Sequence, residues 1–422
     1  MMAHILRFVI LVGYMLTAGC ASLEPLIASL TPASPVPPTP TARATSTPSP
    51  LLTATAPGAP QVSSLRVWLP AQFDPAAEHP ASEMLAQRLA EFESQHDDLT
   101  IEVRLKKAEA DGDILNALSL TSSAAPGALP DLILLSRSDL EAAALRGLLH
   151  PIDGLSNSLD NPNWYSYAQQ LGHIQNTGYG LPFLGDALVL VYYPELGQIV
   201  SWEDVLNSDG DIVFAAGNPQ GLVGLSLYAS AGGEILDAQG LPMLDQEVLT
   251  RVLTLVEEGV SNEVFPPSLA NVTNETQTLQ IYRTGSANKA IVWFLSYRPS
   301  EDGRLTPLPG LDQLAFSYAT GWVWALAGVD PENQQLAVEL AEYLVADDFL
   351  GELTRETGYL PTRPSIVEEE DRAMTAILES AHPMPSSDVL AVLGPLMQEA
   401  MTRVLNGELP ADVAASVVEA LK

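Results

Sequence analysis

At 422 residues the chain exceeds what one hydrophobic core usually serves, and its 47% apolar content rules out global disorder, so two globular lobes are expected. Acidic residues outnumber basic ones 52 to 19, a formal net charge of −33 with no run of Lys or Arg to interrupt it. Phosphate backbones would be repelled, so no nucleic-acid partner is expected, and the acidic surface reads as one that keeps a monomer soluble. A charge of this sign would equally suit a cationic ligand.

Residues 1–19 read as a secretory signal, with His4 and Arg7 at a weakly basic start, an apolar run over 8–16, and the small residues Thr17, Ala18 and Gly19. The run is too short to span a membrane. Cys20 is the sole cysteine and cannot form an intramolecular disulfide. From about Pro25 to Pro60 the chain is Pro, Thr, Ser and Ala, so 20–60 is expected to be an extended tether.

The first strand is expected over 65–69, and Leu85, Leu89 and Phe92 follow at helical spacing. An alternating run over 99–105 predicts a strand with one wet face, and 131–135, wholly apolar after Asp131, predicts a buried one. Ser138 with Glu141 then reads as a capping box that opens a helix ending at Gly147. A similar stretch begins with a strand at 187–193 and a helix start capped by Ser201. The helix over 245–258 carries Val248, Leu249, Val252 and Val256 on one face and should end at Gly259. Strands at 289–294 and 321–327 precede a helix capped by Asp330 with Pro331 in its first turn. The remainder reads as helical, with a break at Gly394-Pro395. Strands alternating with helices imply an α/β fold with a mostly parallel sheet.

These segments, in this order, resemble the extracellular solute-binding proteins that serve ABC importers, the maltose-binding-like family, over roughly residues 61–422. The motifs that carry the likeness are 129–135 leading into 145–153, then 178–188, 288–293, Gly321-Trp322, and 352–363, which contains Thr357-Gly358-Tyr359-Leu360-Pro361. The resemblance implies two doubly wound α/β lobes, a type II periplasmic-binding-protein-like fold with a multi-crossing hinge. Lobe I would take about 61–185 and 291–326, and lobe II about 186–290 and 327–422. The string Leu16-Thr17-Ala18-Gly19-Cys20 is similar to the bacterial lipobox, which implies an acylated Cys20 that anchors an exported protein to the outer face of the cytoplasmic membrane. Implied partners are a small solute, with a mono- or oligosaccharide as the expectation, and an ABC permease. A sensor kinase in place of the permease is the alternative.

Within such a cleft the resemblance points to Asp186 as an acceptor for ligand hydroxyls, and a turn residue capping the next element is the competing reading. Arg137 and Ser138 follow a strand's carboxyl end, with a solvated arginine and a helix cap as their alternatives. Gln72 and Phe73 match another ligand-contacting loop. Trp293 and Trp322 could stack on sugar rings, and core packing is the competing reading for each. Trp324 reads as a core residue. Trp164, Tyr165 and Trp202 read as helix packing. The six histidines (His4, His79, His96, His150, His173 and His382) form no H-E-x-x-H spacing, and no G-x-S-x-G elbow or Gly-rich phosphate loop occurs. No catalytic residue, metal or cofactor is therefore expected, although paired carboxylates leave a glycan hydrolase as a further alternative.

Overall fold

The structure, a computed structural model, describes residues 63–106, 113–297, 303–311, 314–368 and 370–421. The expected signal, Cys20 and the tether lie outside the described residues. Eleven strands occur in chain order: β1 (Ser63–Pro70), β2 (Leu99–Lys106), β3 (Leu132–Ser136), β4 (His173–Ile174), β5 (Thr177–Gly178), β6 (Gly180–Tyr192), β7 (Ile212–Val213), β8 (Lys289–Trp293), β9 (Arg304–Pro307), β10 (Ser317–Leu326) and β11 (Ala381–Pro383). β4 and β5 pair only with each other.

The main sheet runs β2-β1-β3-β10-β6-β8-β7, with β9 added to β6 and β11 to β10. β1 is parallel to β2 and β3, as alternating strands and helices dictate. β10 enters between β3 and β6 antiparallel to both, so the sheet is mixed rather than mostly parallel. The physical reason is that the chain returns to the first half from the second, and a returning strand runs against the strand that left.

β6 is the element both halves share. Its residues from Gly180 to Ala187 pair with β10, and those from Leu188 to Tyr192 pair with β8 and β9. Nearly every residue of β6 is buried, which explains the unbroken apolar run in the sequence. The ladder slips between Trp322 and Val323, which face Leu184 and Pro182, leaving Phe183 as an extra residue in a β-bulge.

Helices sort onto the two halves by the strands they cover. Pro80–Gln95 packs on β2, while Pro331–Leu344 packs on β1, β3 and β10. Asp347–Thr357 packs on Pro80–Gln95. Thus 331–357 packs beside the strands of the first half, while β8 and β9 pair with the later part of β6. Leu222–Ser230, Gln246–Ser261, Ser387–Leu405 and Pro410–Ala420 pack together on the second half.

Local cap chemistry accounts for most helix starts. Asp245 accepts from the amides of Glu247 and Val248, Asp330 accepts from Glu332, and Ser201 forms a reciprocal box with Asp204. Two expected stops are absent. Gln246–Ser261 runs through Gly259, because the Phe265 ring packs where a side chain would stand. Ser387–Leu405 also continues through Pro395, and Gly394 lets the backbone of 219–220 approach it.

Candidate functional site

Three segments meet where β6 passes from one half to the other. The turn Ala71–Phe73 after β1 supplies Gln72, exposed, and Phe73, half-buried. β10 supplies Trp322, half-buried, while Trp324 two residues on is 1% exposed and packs on Phe183 at 5.3 Å. Two residues apart on β10, Trp322 and Trp324 share a face of the strand, and Trp324 is the one in the core.

The third segment was not foreseen. Asp347–Thr357 ends at Gly358 in the left-handed conformation (φ 78°), which reverses the chain and delivers Tyr359 to the crossing. Leu360 then bonds Gly185 on β6 in both directions, at 2.8 and 3.0 Å. Tyr167 fixes the same place by donating to the Pro361 carbonyl at 2.7 Å, and a Cβ on Gly185 would lie 2.2 Å from the Tyr167 hydroxyl. Only glycine fits there.

Phe73 holds the cluster together. Its ring lies 5.0 Å from Trp322, edge to face, 6.2 Å from Tyr359, nearly parallel, and 6.2 Å from Phe183. Burial raises the pKa of the Tyr359 hydroxyl and the charge of Asp186 raises it further, against the effect of the nearby Trp322 and Gln72 side chains. A cavity of about 430 Å³ opens beside the cluster, lined by Gln72, Phe73, His79, Phe183, Leu295 and Tyr359 among others. A second, of about 360 Å³, lies against Tyr359 and Phe294, with Arg355 and Asp371 in its wall.

Asp186 follows Gly185 on β6. Its carboxylate accepts from the amides of Leu295 at 3.1 Å and Ala187 at 2.9 Å. Burial pushes its pKa up to about 7, the nearby Glu275 charge adds to the rise, and the amides of Leu295, Ala187 and Phe294 oppose it. Glu275 accepts from the Trp293 amide at 2.6 Å and the Ser296 hydroxyl at 2.8 Å, so two carboxylates pin the turn that follows β8. Burial raises Glu275 as well.

The sign of the Asp186 shift sets a pH dependence. The folded pKa lies near 7 and the unfolded one near 3.8, so between those values the folded form holds the proton and the unfolded form does not. The contribution of this group to stability is then greatest below pH 4 and falls as pH rises toward 7. Chemical denaturation of the wild type and Asp186→Asn across that window should show the difference between them growing with pH. A difference independent of pH would refute the assignment.

Arg137 and Ser138 are placed apart from this cluster. They line a different cavity, of about 460 Å³, with Glu141 on one side and Pro219, Gln220, Met384 and Pro385 on the other. Arg137 donates to the His173 carbonyl at 3.4 Å and lies 3.9 Å from Glu141, and burial lowers its pKa against the opposing effect of Glu141. Ser138 is not the cap. Ser136 is, accepting from the Asp139 amide at 3.2 Å and donating to its carboxylate at 2.9 Å, so the helix Arg137–Leu145 begins earlier than the Ser138–Glu141 spacing implied. Trp293 ends β8 half-buried and lines none of these three cavities. Trp164 and Trp202 are buried, their indoles donating to the carbonyls of Ser158 and Pro309.

Residues 87–379 match the sequence profile of a family described as bacterial extracellular solute-binding protein. Among solved structures, the maltose-binding periplasmic protein MalE of Listeria monocytogenes in complex with maltose is similar at TM-score 0.69 and 16% identity, over 85% of this chain and 97% of that one. A cyclo/maltodextrin-binding protein complexed with maltotetraose gives TM-score 0.68 and 20% identity, over 85% and 96%. An ABC transporter solute-binding protein of Thermotoga lettingae bound with α-D-tagatose gives 0.61 and 20%, over 85% and 98%. A search of curated proteins finds no match.

Proposed function

The chain belongs to the bacterial extracellular solute-binding proteins, and from that premise we propose that it captures a mono- or oligosaccharide between its two lobes and hands it to an ABC permease. The observation that carries the reading is the crossing of β6, where Phe73 packs on Trp322 and lines an open cavity and a buried carboxylate, Asp186, stands on the same strand. Sugar rings need both surfaces, since their C–H faces stack and their hydroxyls donate. Likeness to maltose-, maltotetraose- and tagatose-bound proteins supports the choice of ligand class. The ligand draws the lobes together because it prefers the closed form, and moving from 1:99 to 99:1 requires a preference of about 5.5 kcal/mol.

A thermal-shift screen of sugars, oligosaccharides, polyamines and amino acids tests the ligand class. A ligand at 100 times its Kd adds about 2.7 kcal/mol, enough for a visible rise in Tm. Small-angle scattering with the hit should show a smaller radius of gyration. A rise confined to polyamines, or an unchanged radius at saturation, would overturn the reading. Binding without catalysis is part of the proposal, and mass spectrometry should find oligosaccharides unaltered after long incubation.

The anchor belongs to the proposal too. Lipobox-like residues before Cys20, followed by a Pro/Ser/Thr-rich stretch, support a lipid-anchored body held off the outer face of the membrane. No described helix is long and apolar enough to cross a membrane. Fractionation should find the wild type with membranes, and Cys20→Ser should release the protein or leave its precursor unprocessed. Soluble, processed wild type would rule the anchor out.

A further inference from the structure

We infer that the cavity of about 460 Å³ beside Arg137 is a site for an acidic solute, a sugar acid whose carboxylate pairs with the Arg137 guanidinium. The inference goes beyond the β6 crossing, because no residue lines both this cavity and the one beside Phe73. Arg137 opens the helix that follows β3, lines the cavity and keeps 15% of its side chain exposed. Its guanidinium is nevertheless poorly served by the protein. Nη2 reaches the His173 carbonyl at 3.4 Å, a long bond, while Nε and Nη1 are buried and find no acceptor among the described residues. Glu141 lies 3.9 Å from Nη1, too far for a hydrogen bond, and its carboxylate already accepts from the Ser387 amide at 3.3 Å. Buried donors left unpaired are costly, and a carboxylate satisfies a guanidinium with a bidentate fork of charge-assisted bonds.

The rest of the cavity suits the body of a sugar acid better than a bare anion. Pro219, Met384 and Leu390 give it an apolar wall, while Ser138 and Gln220 carry hydroxyl and amide groups that pair with ligand hydroxyls. None of its described lining residues is aromatic, so selectivity here does not come from ring stacking and falls to the guanidinium. The walls come from distant stretches of chain. Arg137 and Ser138 stand just past β3, whereas Ser387 and Leu390 belong to the helix Ser387–Leu405, which packs on Gln246–Ser261. A solute held by both would tie those two parts of the molecule together. The net charge of −33 repels anions at long range, but exposed charges are screened beyond about 8 Å at physiological salt, so the guanidinium in contact with the solute decides.

The test is calorimetric titration of D-galacturonate and D-glucuronate, their neutral counterparts D-galactose and D-glucose, and acetate. Each is titrated into the purified full chain and its Arg137→Gln, Arg137→Lys and Trp322→Ala variants. The wild type should bind one of the sugar acids about tenfold or more tightly than its neutral counterpart, the worth of a charge-assisted fork. Arg137→Gln should erase that preference, and Arg137→Lys, which keeps the charge but not the fork, should fall between the two. A variant that merely lost its packing would lose acid and neutral sugar alike, so the ratio of the two affinities is the readout. Acid binding undiminished in both Arg137 variants, acetate held as tightly as the sugar acids, or no sugar acid bound by the wild type would each overturn the inference. Neutral sugars bound as tightly as the acids, and weakened by Trp322→Ala, would overturn it and leave the β6 crossing standing as the sugar site. Acid binding that Arg137→Gln abolishes and Trp322→Ala leaves intact would uphold it without that crossing.

Discussion

Trp322→Ala should weaken sugar binding about a hundredfold while the fold survives. The loss follows from a stacked indole worth on the order of 3 kcal/mol when fully engaged, with each 1.4 kcal/mol a factor of ten in affinity. The residue's setting supports both halves of the expectation. Trp322 is half-buried and packs on its cluster through one edge contact with Phe73, whereas Trp324 lies sealed in the core. Trp324→Ala should accordingly lower the melting temperature far more than it alters binding. Asp186→Ala should cost on the order of 1.5 to 3 kcal/mol of binding through lost charge-assisted hydrogen bonds. Trp293→Ala is the comparison variant, because Trp293, which like Trp322 lines none of the three cavities described, stands outside the ring cluster that Phe73 forms with Trp322 and Tyr359. If calorimetry finds Trp293→Ala more damaging than Trp322→Ala, the sugar lies farther along β6 than placed here.

Lys289→Met should destabilise the protein by about 2 to 4 kcal/mol and leave sugar affinity unchanged. Lys289 is fully buried at the start of β8, yet it is a charged group, and its ammonium donates to the Gly210 carbonyl at 2.7 Å, the Asp209 carbonyl at 2.9 Å and the Ser208 hydroxyl at 3.0 Å. Burial lowers its pKa to about 8 against the opposing charges of Asp211 and Asp209, so it remains mostly charged at pH 7. Methionine keeps the stem's packing but strands three acceptors in the loop that leads into β7. Urea denaturation gives the free energy, and a loss below about 1 kcal/mol would show that the loop rehydrates freely. The wild type should also gain stability from this group as pH rises from about 8 toward 10.5, where the unfolded lysine is still protonated and the folded one is not.

Much of the fold was legible because the signals that make it are local. Asp245, Asp330 and Ser201 cap helices through bonds made within one turn, and β6 is apolar on either side of Asp186 because both its faces are covered. Signals that depend on distant partners misled. The Ser138–Glu141 spacing fits a capping box, but β3 ends soon enough for Ser136 to do the capping. Gly394-Pro395 looks like a stop, yet the glycine is there because the 219–220 backbone presses against the helix. The site was half legible for the same reason. Gln72 and Phe73 follow the end of β1, which sequence can locate, and Trp322, midway along β10, packs its ring on Phe73. Arg137 and Ser138 also follow a strand end but line a separate cavity. Tyr359 and Glu275 were missed because each acquires its role from residues far away in sequence, Phe73 and Asp186 respectively.

The position of β10 has a consequence for how the molecule is made. The sheet that begins with β1 cannot close until Ser317–Leu326 slots between β3 and β6, and its outer layer waits for Pro331–Leu344. A chain whose first half is completed by its last third forms its defining contacts across long stretches of polypeptide, the topology that folds slowly. The proteins of this family are extracellular, and a chain that folds slowly stays open for longer before its native contacts form.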